Sequence, residues 1–178
     1  MIIGFIAVKR NSNRFPNKNI HHIDGKPMFW YSVQTLLNSK VDKVYVSTDS
    51  DYVKEYCKNR NISVIWRHSN ASRMEDKLLT IVRYMYYSIM EEPRIVVNLI
   101  ANCVNFKSED VDKAIEILEK NKLRDVKSFD RNGVENGLIV YDKSVMESNY
   151  DLSYYNGCII CDGKEIHYKE DLDDYLSG

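Results

Sequence analysis

The sequence lacks any apolar run long enough to cross a bilayer, and its charges almost cancel. The apolar opening, residues 1–8, is too short for a membrane span, follows no basic segment and runs directly into a charged loop. The 25 Lys and Arg residues against 26 Asp and Glu residues give a net charge of -1, so no overall field would collect nucleic acid or an anionic membrane. The lack of a membrane-spanning run and the nearly balanced charge favour a cytoplasmic protein that binds neither nucleic acid nor a membrane.

Cysteine, proline and low-complexity sequence are also scarce. The four cysteines do not define a disulfide framework, and Cys158 and Cys161 have no second Cys-x-x-Cys pair with which to complete a zinc site. We therefore expect these two residues to be free thiols buried in a strand. With only 3 prolines, and without a Gly/Ser linker or an internal repeat, residues 1–178 are expected to form a single ordered domain.

The sequence does contain an alternation of strand and helix patterns. Ser50 and Ser108 are expected to cap the second and fourth helices of this series. Four strand–helix repeats predict a doubly wound, mostly parallel α/β sheet. The predicted strands are 2–8, 41–47, 62–66 and 95–100, and the predicted helices are 27–38, 51–60, 74–90 and one that begins at 108.

The last third of the chain has a different pattern. Strand candidates at 126–129, 138–141 and 158–161 are separated by turns such as the Asn-Gly pairs at 132–133 and 136–137, without long helices between them. We therefore expect a mixed or antiparallel edge on the sheet. A terminal helix is predicted at 169–176.

A basic loop directly after the first strand is the strongest candidate for a binding site. It carries Lys9, Arg10, Arg14 and Lys18. Because open parallel sheets bind ligands beyond the carboxyl ends of their strands, a loop of this kind suits a phosphorylated ligand. A solvated basic loop without a ligand is the alternative.

Three segments of the chain, taken in order, resemble the cytidylyltransferases that activate acidic sugars. They are Ser12-x-Arg14-x-Pro16-x-Lys18-Asn19-Ile20, then Gly25-Lys26-Pro27-Met28 at the head of a helix, then Val46-Ser47-Thr48-Asp49 at the end of a strand. The resemblance is to the CMP-sialic acid synthetases (acylneuraminate cytidylyltransferases), with the CMP-Kdo synthetases as relatives. It implies a Rossmann-like nucleotidyltransferase fold of the glycosyltransferase-A type, which is a three-layer sandwich with a mostly parallel mixed sheet.

The reaction that this resemblance implies is transfer of CMP from CTP to an acidic sugar, such as a sialic acid-like nonulosonic acid. The anomeric hydroxyl of the sugar would attack the α-phosphorus, and pyrophosphate would leave, with Mg²⁺ or Mn²⁺ as the assisting ion. Phosphoryl-type transfer depends on positioning and charge neutralisation, which the cations of the first loop could supply. CTP and the acidic sugar are the expected partners, and a homodimer is compatible with the family.

The resemblance also assigns residues to these tasks by motif position. A guanidinium fork matches a carboxylate, so two arginines that follow the third strand are assigned to the sugar. The assignments are Lys9, Arg14 and Lys18 for the triphosphate; Ser12, Asn13, Asn19 and Asn102 for the nucleotide; Arg67 and Arg73 for the sugar carboxylate; and Glu165 and His167 for the metal ion.

The chain departs from the family pattern in three places. Arg10 and Asn11 replace glycines in the first loop, Ile100 stands where relatives have glutamine, and Glu165 and His167 replace aspartates of the metal motif. Glycine lets a backbone approach phosphate closely, and Mg²⁺ prefers carboxylate oxygen. Three functions therefore stay open: an active CMP-sugar synthetase, a nucleotidyltransferase for another nucleotide or sugar, and a catalytically impaired homologue that binds a nucleotide or a sugar or serves as an interaction subunit.

Overall fold

A seven-stranded sheet with helices on both sides forms the framework of the protein. The computed structural model describes residues 1–10, 15–67, 77–148 and 156–177. The strands in these ranges are β1 (Ile2–Val8), β2 (His22–Ile23), β3 (Lys26–Pro27), β4 (Lys43–Thr48), β5 (Ser63–Trp66), β6 (Ile95–Leu99), β7 (Cys103–Val104), β8 (Asp125–Phe129), β9 (Glu135–Asp142), β10 (Asn156–Ile160) and β11 (Lys164–Glu165). The helices are α1 (Met28–Leu37), α2 (Asp51–Lys58), α3 (Leu78–Tyr87), α4 (Ser108–Asn121), α5 (Lys143–Glu147) and α6 (Lys169–Ser177), and a 3₁₀ turn spans Lys18–Ile20.

The large sheet is mostly parallel. Its strand order is β5-β4-β1-β6-β9-β8-β10, and β9 runs antiparallel to both of its neighbours, β6 and β8. The aliphatic strands β1, β4 and β6 are buried along nearly their whole length, as expected for central parallel strands that helices cover on both faces. Because β1, β4, β5 and β6 are parallel, their carboxyl ends meet at one edge of the sheet.

Helices cover both faces of this sheet, which gives three layers. Helices α1, α2 and α4 pack on one face around core residues such as Phe29, Val53 and Ile115. Helices α3 and α5 pack on the opposite face through residues such as Val82 and Met146. Helix α6 packs in a smaller cluster beside β7 and the first turn of α1. The prediction of a three-layer α/β sandwich with a mostly parallel mixed sheet is confirmed.

Most of the predicted elements are confirmed at their predicted positions. Ser50 caps α2, since its Oγ accepts a hydrogen bond from the backbone N–H of Val53 at 3.5 Å. The predicted turn at 132–133 joins β8 to β9, and the predicted terminal helix is α6. Helix α3 is shorter than predicted and ends at Tyr87, where the hydroxyl of Ser88 donates back to the carbonyl of Tyr84. No helix among the described residues is both long and apolar enough to cross a membrane.

Two predicted turn and cap positions are wrong. Ser108 does not cap α4 but is its first residue; the carboxylate of Asp110 reaches back instead and accepts the backbone N–H of Lys107 at 3.3 Å. The Asn-Gly pair at 136–137 lies inside β9 rather than in a turn. Gly137 has a φ of 101°, and the pairing of β9 with β8 shifts register nearby, so the pair marks an irregularity of the strand.

The strands of the last third form a mixed edge of the sheet, as predicted: β9 runs antiparallel to β6 and β8, and β10 is the edge strand. The expectation that both thiols of the Cys-x-x-Cys pair are buried is wrong for one of them. Cys158 is an exposed free thiol, whereas Cys161 is a buried one. Successive side chains of a strand point to opposite faces of the sheet, and in β10 the side chain of Ile159 packs in the core with α4. Cys158, its neighbour, therefore points to the other face and is exposed.

Candidate active site

Several of the sequence-predicted site residues that the structure describes lie where the parallel strands end. Lys9 follows β1, Asp49 follows β4 and Arg67 follows β5. The loop after β6 leads into β7, which contains Cys103. Since β9 runs in the opposite direction, its first residues lie at this same edge, where the backbone N–H of Ile100 donates to the carbonyl of Gly137 at 3.1 Å.

Hydrogen bonds hold the first loop at both of its described ends. The side-chain amide of Asn19 donates to the carbonyl of Lys9 at 3.1 Å, and the carboxylate of Asp49 accepts the backbone N–H of Arg10 at 2.7 Å. The first contact closes the loop on itself, and the second joins it to the end of β4. Lys9 and Asn19, which the sequence assigns to phosphate and nucleotide, therefore lie side by side.

Lys18 is the last lysine of the first loop. It opens the 3₁₀ turn of residues 18–20, and its charge lowers the pKa of Cys103, although burial raises that pKa well above its usual range. Four other sequence-assigned residues, Ser12, Asn13, Arg14 and Arg73, lie outside the described residues.

The loop after β6 is anchored by side chains from two directions. The hydroxyl of Ser32, on α1, donates to the carbonyl of Ile100 at 2.8 Å. The side-chain amide of Asn102 donates to the carbonyl of Ile166 at 2.8 Å and to the carboxylate of Glu165 at 3.2 Å. Asn102 and Glu165, which are far apart in sequence, are thus in direct contact.

Glu165 and His167 form the pair that the sequence assigns to a metal ion. The Nε2 atom of His167 lies 3.4 Å from a carboxylate oxygen of Glu165, and the two side chains are 42% and 21% exposed. Asp171, in the first turn of α6, is engaged elsewhere: it accepts the backbone N–H groups of Tyr168 and His167, both at 2.8 Å, and these contacts lower its pKa. Within the described ranges, no group of three or more His, Cys, Asp or Glu side chains could hold a metal ion.

Arg67 is the most deeply buried of those sequence-assigned residues that the structure describes. Its backbone N–H continues the ladder of β4 and β5 by donating to the carbonyl of Thr48 at 2.9 Å, and the residue is only 1% exposed. None of its three guanidinium nitrogens has a hydrogen-bond partner among the described residues. Burial lowers the pKa of Arg67, while the nearby Asp49 and Tyr84 raise it. A buried guanidinium that has no hydrogen-bond partner in the described part of the chain can donate to a ligand oxygen.

Asn136 is a residue of this edge that sequence reasoning missed. Its side-chain amide donates to the carbonyl of Cys161 at 3.2 Å and to that of Gly163 at 3.0 Å, and it is buried. It therefore fixes the segment that leads from β10 to β11 and Glu165. The Asn-Gly signal was visible in the sequence, but it indicated a turn rather than an anchor.

Comparison with known proteins identifies matches over most of the chain. A family model described as cytidylyltransferase matches residues 3–154. An N-acylneuraminate cytidylyltransferase of Streptococcus agalactiae is 24% identical over 185 residues, which cover 94% of this chain and 45% of the relative. A 3-deoxy-manno-octulosonate cytidylyltransferase of Francisella tularensis is 26% identical over 165 residues, which cover 86% of this chain and 62% of the relative. The chain thus spans about half to three fifths of the length of these two relatives.

A solved structure has a fold similar to that of this chain. CMP:2-keto-3-deoxy-manno-octonic acid synthetase complexed with CTP superimposes with a TM-score of 0.82, covering 99% of this chain and 97% of that one. At 14% sequence identity, this likeness concerns the fold alone.

Proposed function

Because the chain belongs to the cytidylyltransferase family, we propose that it transfers CMP from CTP to an acidic sugar and releases pyrophosphate. The anomeric oxygen of the sugar would bond to the α-phosphorus as the bond from that phosphorus to pyrophosphate breaks, and the hydroxyl proton would pass to solvent. One observation carries the proposal: the first loop and the segment that ends in Asp49 resemble the family separately, and they are joined at one sheet edge by the bond from Arg10 to Asp49.

The proposed roles follow from charge and position. Lysine side chains of the first loop would neutralise the triphosphate, which is the main demand of this type of transfer. Amide side chains at the same edge would orient the nucleotide by hydrogen bonds. The proposed residues are Lys9, Arg14 and Lys18 for phosphates, Ser12, Asn13, Asn19 and Asn102 for the nucleotide, and Arg67 and Arg73 for the sugar carboxylate.

A divalent ion, Mg²⁺ or Mn²⁺, is part of the same proposal. Glu165 supplies one carboxylate, and Mg²⁺ at nucleotide sites is commonly held by one or two carboxylates together with substrate phosphates. His167 supplies an imidazole nitrogen, a ligand typical of transition metals. These two residues would hold the ion, which when bound supplies further neutralisation of phosphate charge. Asp171 is not proposed as a ligand because its carboxylate caps α6.

Pyrophosphate release tests the proposal directly. The protein is incubated with CTP, with Mg²⁺ or Mn²⁺, and with a panel of acidic sugars that includes Kdo and sialic acids. We expect release that depends on both substrates, and a loss of at least about tenfold in the Lys18→Ala variant, since one charge-stabilising group typically supplies that much or more. The control is Lys120→Ala, an exposed lysine in the last turn of α4, at the opposite edge of the sheet.

Three other outcomes separate the alternative functions. Release with another nucleotide would indicate a transferase of different base specificity. If no release occurs while CTP still raises the melting temperature, the protein is an impaired homologue that binds nucleotide. If neither pyrophosphate release nor stabilisation by CTP occurs, the proposed function is wrong.

A further inference from the structure

The Asn-Gly pair near the start of β9 contacts both of the segments that carry Asn102 and Glu165. The side-chain amide of Asn136 donates to carbonyls of the segment that leads from β10 to β11. The carbonyl of Gly137 accepts the backbone N–H of Ile100, which belongs to the loop after β6. Two adjacent residues of one strand therefore hold two segments that are far apart in sequence.

The amide of Asn136 is fully used in this contact. Its NH₂ group has two hydrogens, and it lies 3.2 Å from the carbonyl oxygen of Cys161 and 3.0 Å from that of Gly163. The thiol of Cys103 contacts the backbone carbonyl of Asn136 at 3.4 Å. Because Asn136 is only 5% exposed, water has little access to these groups. A side chain that cannot donate twice would leave a buried carbonyl without its partner.

Gly163 also packs against an aromatic ring. A Cβ atom at this position would overlap the ring of Phe106, which is itself buried. The carbonyl of Gly163 is thus bound by Asn136, and its α-carbon lies against Phe106. The backbone has little room to shift at this point, and Glu165 follows two residues later.

Strand β11 cannot define the position of Glu165 by itself. It has two residues and pairs with β7, which is equally short, and a ribbon of that size is not stable alone. Contacts at its two ends must therefore hold it. On the carboxyl side, the backbone N–H of the buried Ile166 donates to the carbonyl of Asn102 at 2.9 Å. On the amino side, Asn136 holds Gly163.

We propose that Asn136 is a positioning residue whose amide sets the place of Glu165 and thereby the affinity of the site for a divalent ion. The inference rests on the proposed function, in which Glu165 and His167 hold that ion. Replacing a group that orients a metal ligand typically lowers metal affinity by about 10–100-fold. Asn136 itself contacts neither the ion nor a substrate in this proposal.

The dependence of CTP binding on metal tests this role. Titration calorimetry measures the affinity for CTP once with Mn²⁺ and once with a chelator, and the ratio of the two affinities is the metal enhancement. Asn136→Ser shortens the side chain and leaves one donor for two carbonyls. We expect the enhancement to fall by about tenfold or more, whereas the affinity for CTP in chelator stays within about twofold of the parent value.

Asn136→Thr is a second variant with the same loss of donors. Threonine fills more of the side-chain volume and suits a strand better than serine, so it serves if the serine variant does not fold. The inference is refuted if the folded variants keep the enhancement within about twofold of the parent value. Failure of both variants to fold would assign Asn136 to folding and would also refute the narrower role.

Ser128→Ala is the matched control for destabilisation. Ser128 is also fully buried beside β9, and its hydroxyl accepts the backbone N–H of Leu138 at 3.0 Å. Removing this group should lower the melting temperature by about 2–4 °C, and Asn136→Ser should lower it by at least as much. Only Asn136→Ser should reduce the metal enhancement. An equal reduction in both variants would show that it follows general destabilisation, and the positioning role would be wrong.

A double variant distinguishes positioning from a structural role alone. Glu165→Gln removes the charge that attracts the ion and should lower the enhancement by itself. If Asn136 acts through Glu165, Asn136→Ser should lower the enhancement little further in the Glu165→Gln background. Losses that simply add in the double variant would contradict the inference.

Failure of the proposed function gives a different result. If the parent binds another nucleotide instead of CTP, and Mn²⁺ enhances that binding, the proposed function is wrong, and loss of the enhancement in Asn136→Ser still supports the positioning role. If the parent releases pyrophosphate but the variants keep the enhancement, the function stands and the inference is refuted. If Mn²⁺ enhances the binding of no nucleotide, the metal part of the proposed function and the inference are both wrong.

Discussion

Replacing Gly137 by alanine tests how the loop after β6 is held at the site. Gly137 lies where β9 begins, and its φ of 101° is a conformation that side chains disfavour. A Cβ atom placed there would lie 2.5 Å from Cγ1 of Ile100 and 2.6 Å from Sγ of Cys103. Ile100 belongs to the loop that carries Asn102, and Cys103 is the residue of β7 that directly follows this loop. The absence of a side chain thus allows this loop to pack directly on β9.

The expected destabilisation has two parts. A left-handed conformation at a residue with a Cβ atom costs about 1–2 kcal/mol, and forcing extra atoms into a packed region costs about 1–3 kcal/mol. The Gly137→Ala variant should therefore lose about 2–5 kcal/mol of unfolding free energy. A domain of ordinary stability, about 5–15 kcal/mol, would in most cases still fold.

Gly133→Ala is the matched control for the backbone contribution to the destabilisation. Gly133 has a φ of 79°, yet a Cβ atom there would meet no heavy atom within 4 Å. This variant should therefore lose only the backbone contribution of about 1–2 kcal/mol. The difference between the two variants, about 1–3 kcal/mol, measures the packing of the loop after β6 against β9.

Urea unfolding followed by the fluorescence of Trp30 and Trp66 measures these differences. The double variant Gly137→Ala with Ile100→Ala removes the closest clash and should recover part of the packing loss, which a double-mutant cycle would report as coupling. Equal stability of Gly137→Ala and Gly133→Ala would refute the packing argument. A Gly137→Ala variant that is destabilised but keeps full affinity for CTP would refute the link between this packing and the site.

Two further predictions concern carboxylates with opposite pKa shifts. Burial raises the pKa of Asp125, and its Oδ1 has no hydrogen-bond partner among the described residues. The neutral carboxyl therefore stabilises the folded state below the unfolded pKa of about 3.9, and this contribution is lost as the pH rises through the folded pKa. Asp125→Asn should melt at a higher temperature than the parent at pH 7, with the advantage shrinking toward pH 4; a lower melting temperature at pH 7 would contradict the argument. The two backbone N–H groups that contact Asp171 lower its pKa, so its contribution is present above the unfolded pKa and is lost as the pH falls through the folded value. Asp171→Ala should lose about 0.5–2 kcal/mol in urea unfolding at pH 7, whereas Asp171→Asn, which keeps an acceptor, should lose less; equal losses would contradict the capping role.

The layered fold could be predicted because local signals agree with it. The strand and helix patterns of the first hundred residues repeat in the order that a parallel sheet requires, and Ser50 stands where a cap is needed. The errors arose where one signal has two physical meanings. An Asn-Gly pair indicates a turn between strands, but glycine with a positive φ also occurs at irregularities inside a strand, as at Gly137.

The sequence indicated which loops carry the candidate site, but not which side chains of those loops contact each other. Motif position indicated that Asn102 and Glu165 belong to the site, but their contact depends on the pairing of β7 with β11, which no local pattern specifies. Ser47 and Asn98 stand in apolar strands, where a small hydroxyl or amide is usually satisfied by its surroundings. That they have no hydrogen-bond partner within residues 1–10, 15–67, 77–148 and 156–177 can be recognised only when the neighbouring strands are in place.

The reversed strand β9 explains why this site extends over both halves of the sheet. In a purely parallel sheet, the site edge would contain carboxyl ends alone. Because β9 runs backwards, its first residues reach the same edge, and Asn136 is placed to bind the carbonyls of Cys161 and Gly163. Those carbonyls precede β11, so the position of Glu165 depends on the direction of β9. The first half of the sheet therefore carries the cationic loop and Arg67, while the second half fixes the segment that leads to Glu165.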